Sequence, residues 1–151
     1  MRRDSDKESV KGPVELYQRK LEAMDEIMDD LLQYAENDAV IIVEGIKDVR
    51  ALNSLGIKGH FELATHHSLS NFCERIAREH NNVVILTDWD RRGNILKGKL
   101  VRNFHSLGVN PDVILRKRLF LLVQKEIKDV EGLPSYISKI KWMAKATEYP
   151  E

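Results

Sequence analysis

What this chain has little of narrows it first. A single cysteine, Cys73, excludes an internal disulfide and any cysteine-rich zinc module. No apolar run approaches the ~20 residues that cross a bilayer. The opening segment Met1-Arg2-Arg3-Asp4-Ser5-Asp6-Lys7 has no apolar core of the kind a secretion signal carries. The expectation is a cytoplasmic protein with no membrane partner. Internal repeats, low-complexity tracts and a Gly-x-x-x-x-Gly-Lys phosphate loop are all missing. So is an excess of charge of either sign: Lys plus Arg and Asp plus Glu both number 24, and net charge points to no partner class. What remains is a chain of 151 residues, 42% hydrophobic, long enough for one full core.

Against that background the stretch Leu86-Thr87-Asp88-Trp89-Asp90-Arg91-Arg92-Gly93 stands out. Two carboxylates alternate directly behind the apolar run Val83-Val84-Ile85-Leu86, the pattern of a buried parallel strand ending in an acidic rim. In an extended segment side chains at i and i+2 point the same way, so Asp88 and Asp90 can face one ion while Trp89 faces elsewhere. Carboxylates with no cysteine or histidine beside them suit magnesium or manganese better than zinc. The same Asp-x-Asp also fits a solvated turn or a helix cap.

A second run, Ala39-Val40-Ile41-Ile42-Val43, ends at Glu44-Gly45 and is followed by a helical pattern carrying Val49, Leu52 and Leu55 on one face. Glu44 thus occupies the position in its strand that Asp88 occupies in the other, although a plain helix-capping glutamate would look alike. In open parallel α/β sheets ligands sit outside the carboxyl ends of the strands, so both acids are aimed toward one crevice.

Val43-Glu44-Gly45-Ile46-Lys47-Asp48 followed by Thr87-Asp88-Trp89-Asp90-Arg91-Arg92-Gly93 resembles the Toprim domain shared by type IA and type II topoisomerases, bacterial-type primases, overcoming-lysogenization-type nucleases, recombination mediators and ribosomal-RNA maturases. The resemblance spans roughly Asp38 to Arg116. By length the chain is most similar to small stand-alone archaeal Toprim proteins related to the ribosomal-RNA maturase nucleases. The resemblance implies that Glu44 acts as general acid or base and as a metal ligand. It also implies that Asp88 and Asp90 hold Mg2+, as one or two ions, with Mn2+ able to substitute. Trp89 stands where the family often carries proline or a small residue.

Charge is distributed unevenly. Glu15 to Asp38 holds eight acidic residues against Arg19 and Lys20, and Arg91 to Arg118 holds eight basic residues against Asp112. A basic stretch beginning beside an acidic metal motif suits a phosphodiester substrate, with Lys47, Arg91 and Arg92 as candidate phosphate contacts. For any one of these residues a solvated helix face explains the charge equally simply.

The organisation read from the sequence is a flexible arm over residues 1–12, a helix opened by Gly12-Pro13 over residues 13–37, and a Toprim-like domain over residues 38–151 with a C-terminal helical extension. Tyr17, Leu21, Met24, Met28, Leu31 and Ala35 form an amphipathic stripe that either docks on the domain or pairs with a second copy. Gly59 to Ala64 predicts a second strand, and the loop after it carries His66 and His67, which either contact phosphate or a metal-bound water or are ordinary loop histidines. Leu69, Phe72, Cys73 and Ile76 share one helical face, which makes Cys73 a core residue. Val113-Ile114-Leu115 predicts a fourth strand. Leu119 to Val123 is undecided between helix and strand, and a last helix starts near Pro134. Lys128-Asp129-Val130-Glu131 either adds an acid to the site or is a solvated turn.

The expected fold class is α/β: a Toprim-like open, mostly parallel four-stranded sheet flanked by helices, with an added N-terminal amphipathic helix. The expected function is magnesium-dependent phosphodiester chemistry on RNA or DNA, as a nuclease, by a monomer or homodimer. A non-catalytic nucleic-acid-binding module or complex subunit is the alternative.

Overall fold

The computed structural model describes residues 2–64 and 68–145, with side chains from Pro13 onward, so His66 and His67 lie outside the described residues. Three parallel strands form the sheet: β1 (Val40–Val43), β2 (His60–Leu63) and β3 (Val83–Ile85), in the order β2-β1-β3. Val40 stands level with His60 on one side and Val83 on the other, so all three strands end at the same edge. Every residue of β1 and β3 is buried, as expected of strands covered on both faces.

The period-two alternation of the strands divides the interior into two cores. Ile41, Val43 and Val84 face a core completed by Met24, Ile27, Leu31, Leu115, Leu119, Tyr136, Ile137 and Ile140. Val40, Ile42, Val83 and Ile85 face the other, with Phe72, Cys73, Ile76, Leu100 and Phe104. The first layer is built from α1 (Arg2–Glu36), α2 (Ile46–Ser54), α5 (Ile114–Val123) and α6 (Leu133–Lys145), the second from α3 (Leu69–Glu79) and α4 (Arg91–Ser106). Cys73 is fully buried, and burial pushes its thiol up to about 11, which makes it a core residue rather than a nucleophile. Gly56 and Gly108 take the positive φ that ends α2 and α4.

Two expectations are corrected. Helix α1 runs from Arg2 with Pro13 inside it, whereas the sequence predicts an arm to residue 12 and a helix opening at Gly12-Pro13. A proline forfeits one backbone bond, and the straight-chain residues before it, among them Lys7, Glu8 and Lys11, favour helix on their own. The second correction is the sheet, which has three strands rather than four. Asp112 makes a single parallel bridge to Val84 and then leaves the sheet. Its Oδ1 accepts from the backbone N–H of Ile114 at 2.9 Å and of Leu115 at 3.2 Å, so Val113-Ile114-Leu115 opens a helix. That helix also absorbs Leu119 to Val123, whose class the sequence left open.

Helix α1 packs along α6 and α5. Arg118 joins Asp30 at 2.6 Å, and the Tyr34 hydroxyl donates to Asp112 at 2.6 Å, which with burial pushes the phenol up to about 12. Among the described residues no helix is long and apolar enough to cross a membrane.

Asp112 therefore joins sheet, α5 and α1. Replacing it with alanine removes the two helix-capping acceptor contacts and the partner of Tyr34, and is expected to cost about 1–2 kcal/mol. Urea unfolding checks this; an unchanged midpoint would contradict the role given to Asp112.

Candidate metal and phosphodiester site

Glu44 follows the last residue of β1, and its Oε2 accepts the backbone N–H of Asp88 at 2.8 Å. One hydrogen bond thus ties the segments that follow β1 and β3 together. Asp88 sits three residues beyond β3, in a loop that the fold fixes from four directions. Trp89 is buried, donates its indole Nε1–H to the Ile127 carbonyl at 2.7 Å and its backbone N–H to the Lys128 carbonyl at 3.0 Å. Val130 returns a backbone N–H to Asp88 Oδ1 at 3.0 Å. Arg116, also buried, donates Nε–H to the Thr87 carbonyl at 2.8 Å and Nη2–H to the Asp88 carbonyl at 2.5 Å and to Asn94 Oδ1 at 2.7 Å. At Gly93 a Cβ would lie 1.7 Å from the Asp88 carbonyl oxygen, so only glycine lets α4 start this close to the loop.

Asp90 takes a different job. Its Oδ1 accepts the Gly93 N–H at 2.7 Å and caps α4. Asp88 and Asp90 are therefore loop residues facing separate hydrogen-bond donors, not neighbours on one face of a strand. Glu44, Asp88 and Asp90 do all act electrostatically on the Arg116 guanidinium, which burial otherwise drives below its usual pKa. They do not form a triplet with donor atoms within 4.8 Å of one another; among the described residues only His60, Glu62 and His80 do.

Two more carboxylates join that were not among the sequence's site residues. Asp48 is buried at the first turn of α2 and accepts the Gly45 N–H at 3.1 Å. It lies at i+4 from Glu44, a spacing that places two side chains on one side of a helix start and that could have signalled it. Asp129, which the sequence left open between site and turn, caps the short 3-10 turn Val130–Gly132 and acts on both Asp48 and Asp88. Nothing local to Asp129 announces this, because Trp89 brings the segment in. Burial pushes the Asp88 carboxyl up to about 7, helped by the charges of Asp48, Glu44 and Asp129 and opposed by the Val130 N–H. Asp48 is raised for the same first reason. Five carboxylates and one buried guanidinium leave a deficit of positive charge, and an all-oxygen donor set of this kind fits a hard divalent cation.

Beside Glu44 a cleft of about 370 Å³ is lined by Ala64, Leu69, Arg92, Ile95, Leu96 and Lys99. Arg92 and Lys99 are exposed and form no ion pair among the described residues. Lys47 and Arg91 are exposed but outside this cleft. Of the basic stretch, Arg116 and Arg118 serve internal contacts, and Arg92 and Lys99 line the cleft.

The family model of the Toprim domain matches residues 39–121. A UPF0292 protein of Methanosarcina barkeri is 54% identical over 128 residues, covering 85% of this chain and 90% of that protein. One of Methanocaldococcus jannaschii is 30% identical over 126 residues, covering 83% of this chain and 94% of that protein. A solved structure, a putative protein from Aquifex aeolicus, superimposes with a TM-score of 0.61 at 23% identity, over 72% of this chain and 95% of that one, a likeness of fold.

The raised carboxyl sets a pH dependence. Between the usual carboxylate range and about 7 the folded protein holds a proton on Asp88 that the unfolded chain releases. Stability from this group is therefore full at acid pH and lost as pH rises through about 7. Metal-free protein should melt lower above pH ~8 than near pH ~5, Asp88→Asn should flatten that difference, and added magnesium should narrow it in the wild type. A melting profile unaffected by Asp88→Asn would contradict the burial argument. Gly93→Ala should cost about 3 kcal/mol or more in chemical denaturation, since backbone rather than a flexible side chain must yield.

Proposed function

Because the chain belongs to the Toprim domain family, a metal-binding module associated with nucleic acid, we propose that it is a nuclease that cleaves phosphodiester bonds of RNA or DNA with Mg2+ held by Glu44, Asp88 and Asp90. The observation that carries this reading is the pairing of a half-buried, undercompensated carboxylate cluster with a cationic cleft wall. A pure binding surface for a polyanion gains nothing from buried carboxylates, which repel phosphate unless a cation stands between them.

Bound there, the cation supplies neutralisation of phosphate oxygens and polarisation of the reacting groups. The remaining roles fall to side chains. Asp88 is the central ligand, fixed by Val130 and Arg116 so that little reorganisation is needed on loading. Asp90, anchored on the first turn of α4, and Glu44 flank it; the spread of the three favours contacts completed by water, as magnesium prefers. Asp48 and Asp129 add negative charge behind this set. Of the five acids Glu44 lines the cleft, which supports its role as the group that handles the proton at the attacking or leaving oxygen. Arg92 and Lys99 hold the phosphates on either side, with Lys47 and Arg91 reaching backbone farther out.

Glu44→Gln keeps the size of the side chain and removes its proton chemistry, so turnover should fall roughly a hundredfold or more with binding held within a few-fold. Asp88→Asn should lose turnover and magnesium dependence together. The assay is cleavage of structured RNA, single-stranded DNA and duplex DNA with magnesium, manganese or chelator. Wild-type cleavage by both variants, or binding without cleavage of any substrate, would overturn the nuclease and leave a binding module. Arg92→Ala and Lys99→Ala should each flatten the logarithmic salt dependence of binding by about one unit; an unchanged slope would place the backbone elsewhere.

A further inference from the structure

At the opposite edge of the sheet, away from the carboxylates, β2 begins with His60 and carries Glu62 two residues on, so that both side chains stand on one face. His80, the residue after α3, closes against them: the His60 and His80 rings lie 4.6 Å apart between centroids. One donor atom from each of His60, Glu62 and His80 lies within 4.8 Å of the others. His60 Nε2 and Glu62 Oε2 are already at 2.7 Å. His80 Nε2 is shut away from solvent and has no hydrogen-bond partner among the described residues. A buried ring nitrogen left without a partner is a cost that native folds rarely carry without return. Glu62 is also held in place: Arg75 donates to its Oε1 at 2.8 Å and at the longer distance of 3.3 Å to its Oε2, the oxygen that meets His60 at 2.7 Å, and Glu79 offsets part of the Arg75 charge.

We propose that His60, Glu62 and His80 form a second metal site, distinct from the carboxylate cluster and selective for zinc or a similar borderline transition ion. Two imidazoles and one carboxylate are a donor set such ions prefer, whereas magnesium takes oxygen. Water completes the coordination. Arg75 acts as the outer partner that orients the carboxylate, a role usual behind metal-bound acids. The gain is mechanical. β2 is an edge strand, hydrogen-bonded to β1 alone among the described residues. An ion held there ties its start to the end of α3, fixing both ends of the segment that connects them. That segment includes Ala64 and Leu69, which line the Glu44 cleft.

The test is titration of the full chain with zinc in the presence of excess magnesium, which occupies the carboxylates, followed by calorimetry and by cobalt substitution, whose visible spectrum reports imidazole ligation. One equivalent should bind and raise the melting temperature. His60→Asn, at an exposed position where the fold is not at risk, and His80→Gln should each abolish that equivalent, while Arg75→Gln should weaken it roughly tenfold to a hundredfold. His66→Asn, His67→Asn and Asp88→Asn should leave it intact. No uptake by the wild type would overturn the site. So would uptake that survives His60→Asn and His80→Gln, or uptake that depends on His66, His67 or Asp88. Neither result bears on cleavage, so the two proposals stand or fall separately.

Discussion

A carboxylate partly taken out of water among other carboxylates is the constraint on which this structure turns. Asp88 is half-buried beside Glu44, Asp48 and Asp129, and that loss of solvent holds its proton to about neutral pH. Such an arrangement opposes folding unless something compensates. The compensation visible in the protein is partial: one N–H from Val130, and a guanidinium, Arg116, that spends its donors on carbonyls and Asn94 rather than on the acids. The loop is thereby made rigid without being made neutral. The charge left uncompensated is what the proposed cation would neutralise.

The rest of the fold serves that placement. Parallel strands end at one edge, so β1 delivers Glu44 and β3 delivers Asp88 to the same place, and the Glu44–Asp88 hydrogen bond locks the two ends. Trp89 points away from the acids into the core shared by α1, α5 and α6 and draws residues 127–130 against the loop. Gly93 lets α4 start against the Asp88 backbone, and α4 carries Arg92 and Lys99 along the cleft that Glu44 also lines. The start of α4 thus positions both the Asp90 carboxylate and the cationic wall of the cleft.

Much of this was legible in the chain, and the failures have physical causes. Apolar runs that stop at an acid identified β1, β3 and the edge at which Glu44 and Asp88 meet. Apolar spacing in steps of three and four identified the other helices but not α5, and the Toprim resemblance followed from the two motifs. The fourth strand was misread because Val113-Ile114-Leu115 has strand composition, while Asp112, one residue earlier, offers a helix cap that composition does not weigh. Alternation suggested that Asp88 and Asp90 share a face, yet both lie beyond the strand, where hydrogen bonds to Val130 and Gly93 decide their direction. Asp129 and Arg116 are distant in sequence and reach the site through tertiary contacts that no local pattern encodes. Lys99 was hidden among basic residues of which Arg116 and Arg118 proved to be internal.

Locating a cation directly gives the sharpest test of the account. Crystals soaked in manganese, collected for anomalous scattering, should show density at the sheet edge bounded by Asp88, Glu44 and Asp90, joined to Asp88 directly and to the others directly or through water. Density elsewhere, or an Asp88 carboxylate left facing Val130 with no ion at saturating manganese, would mean that the buried acids are a structural feature and that the site assigned to them does not exist.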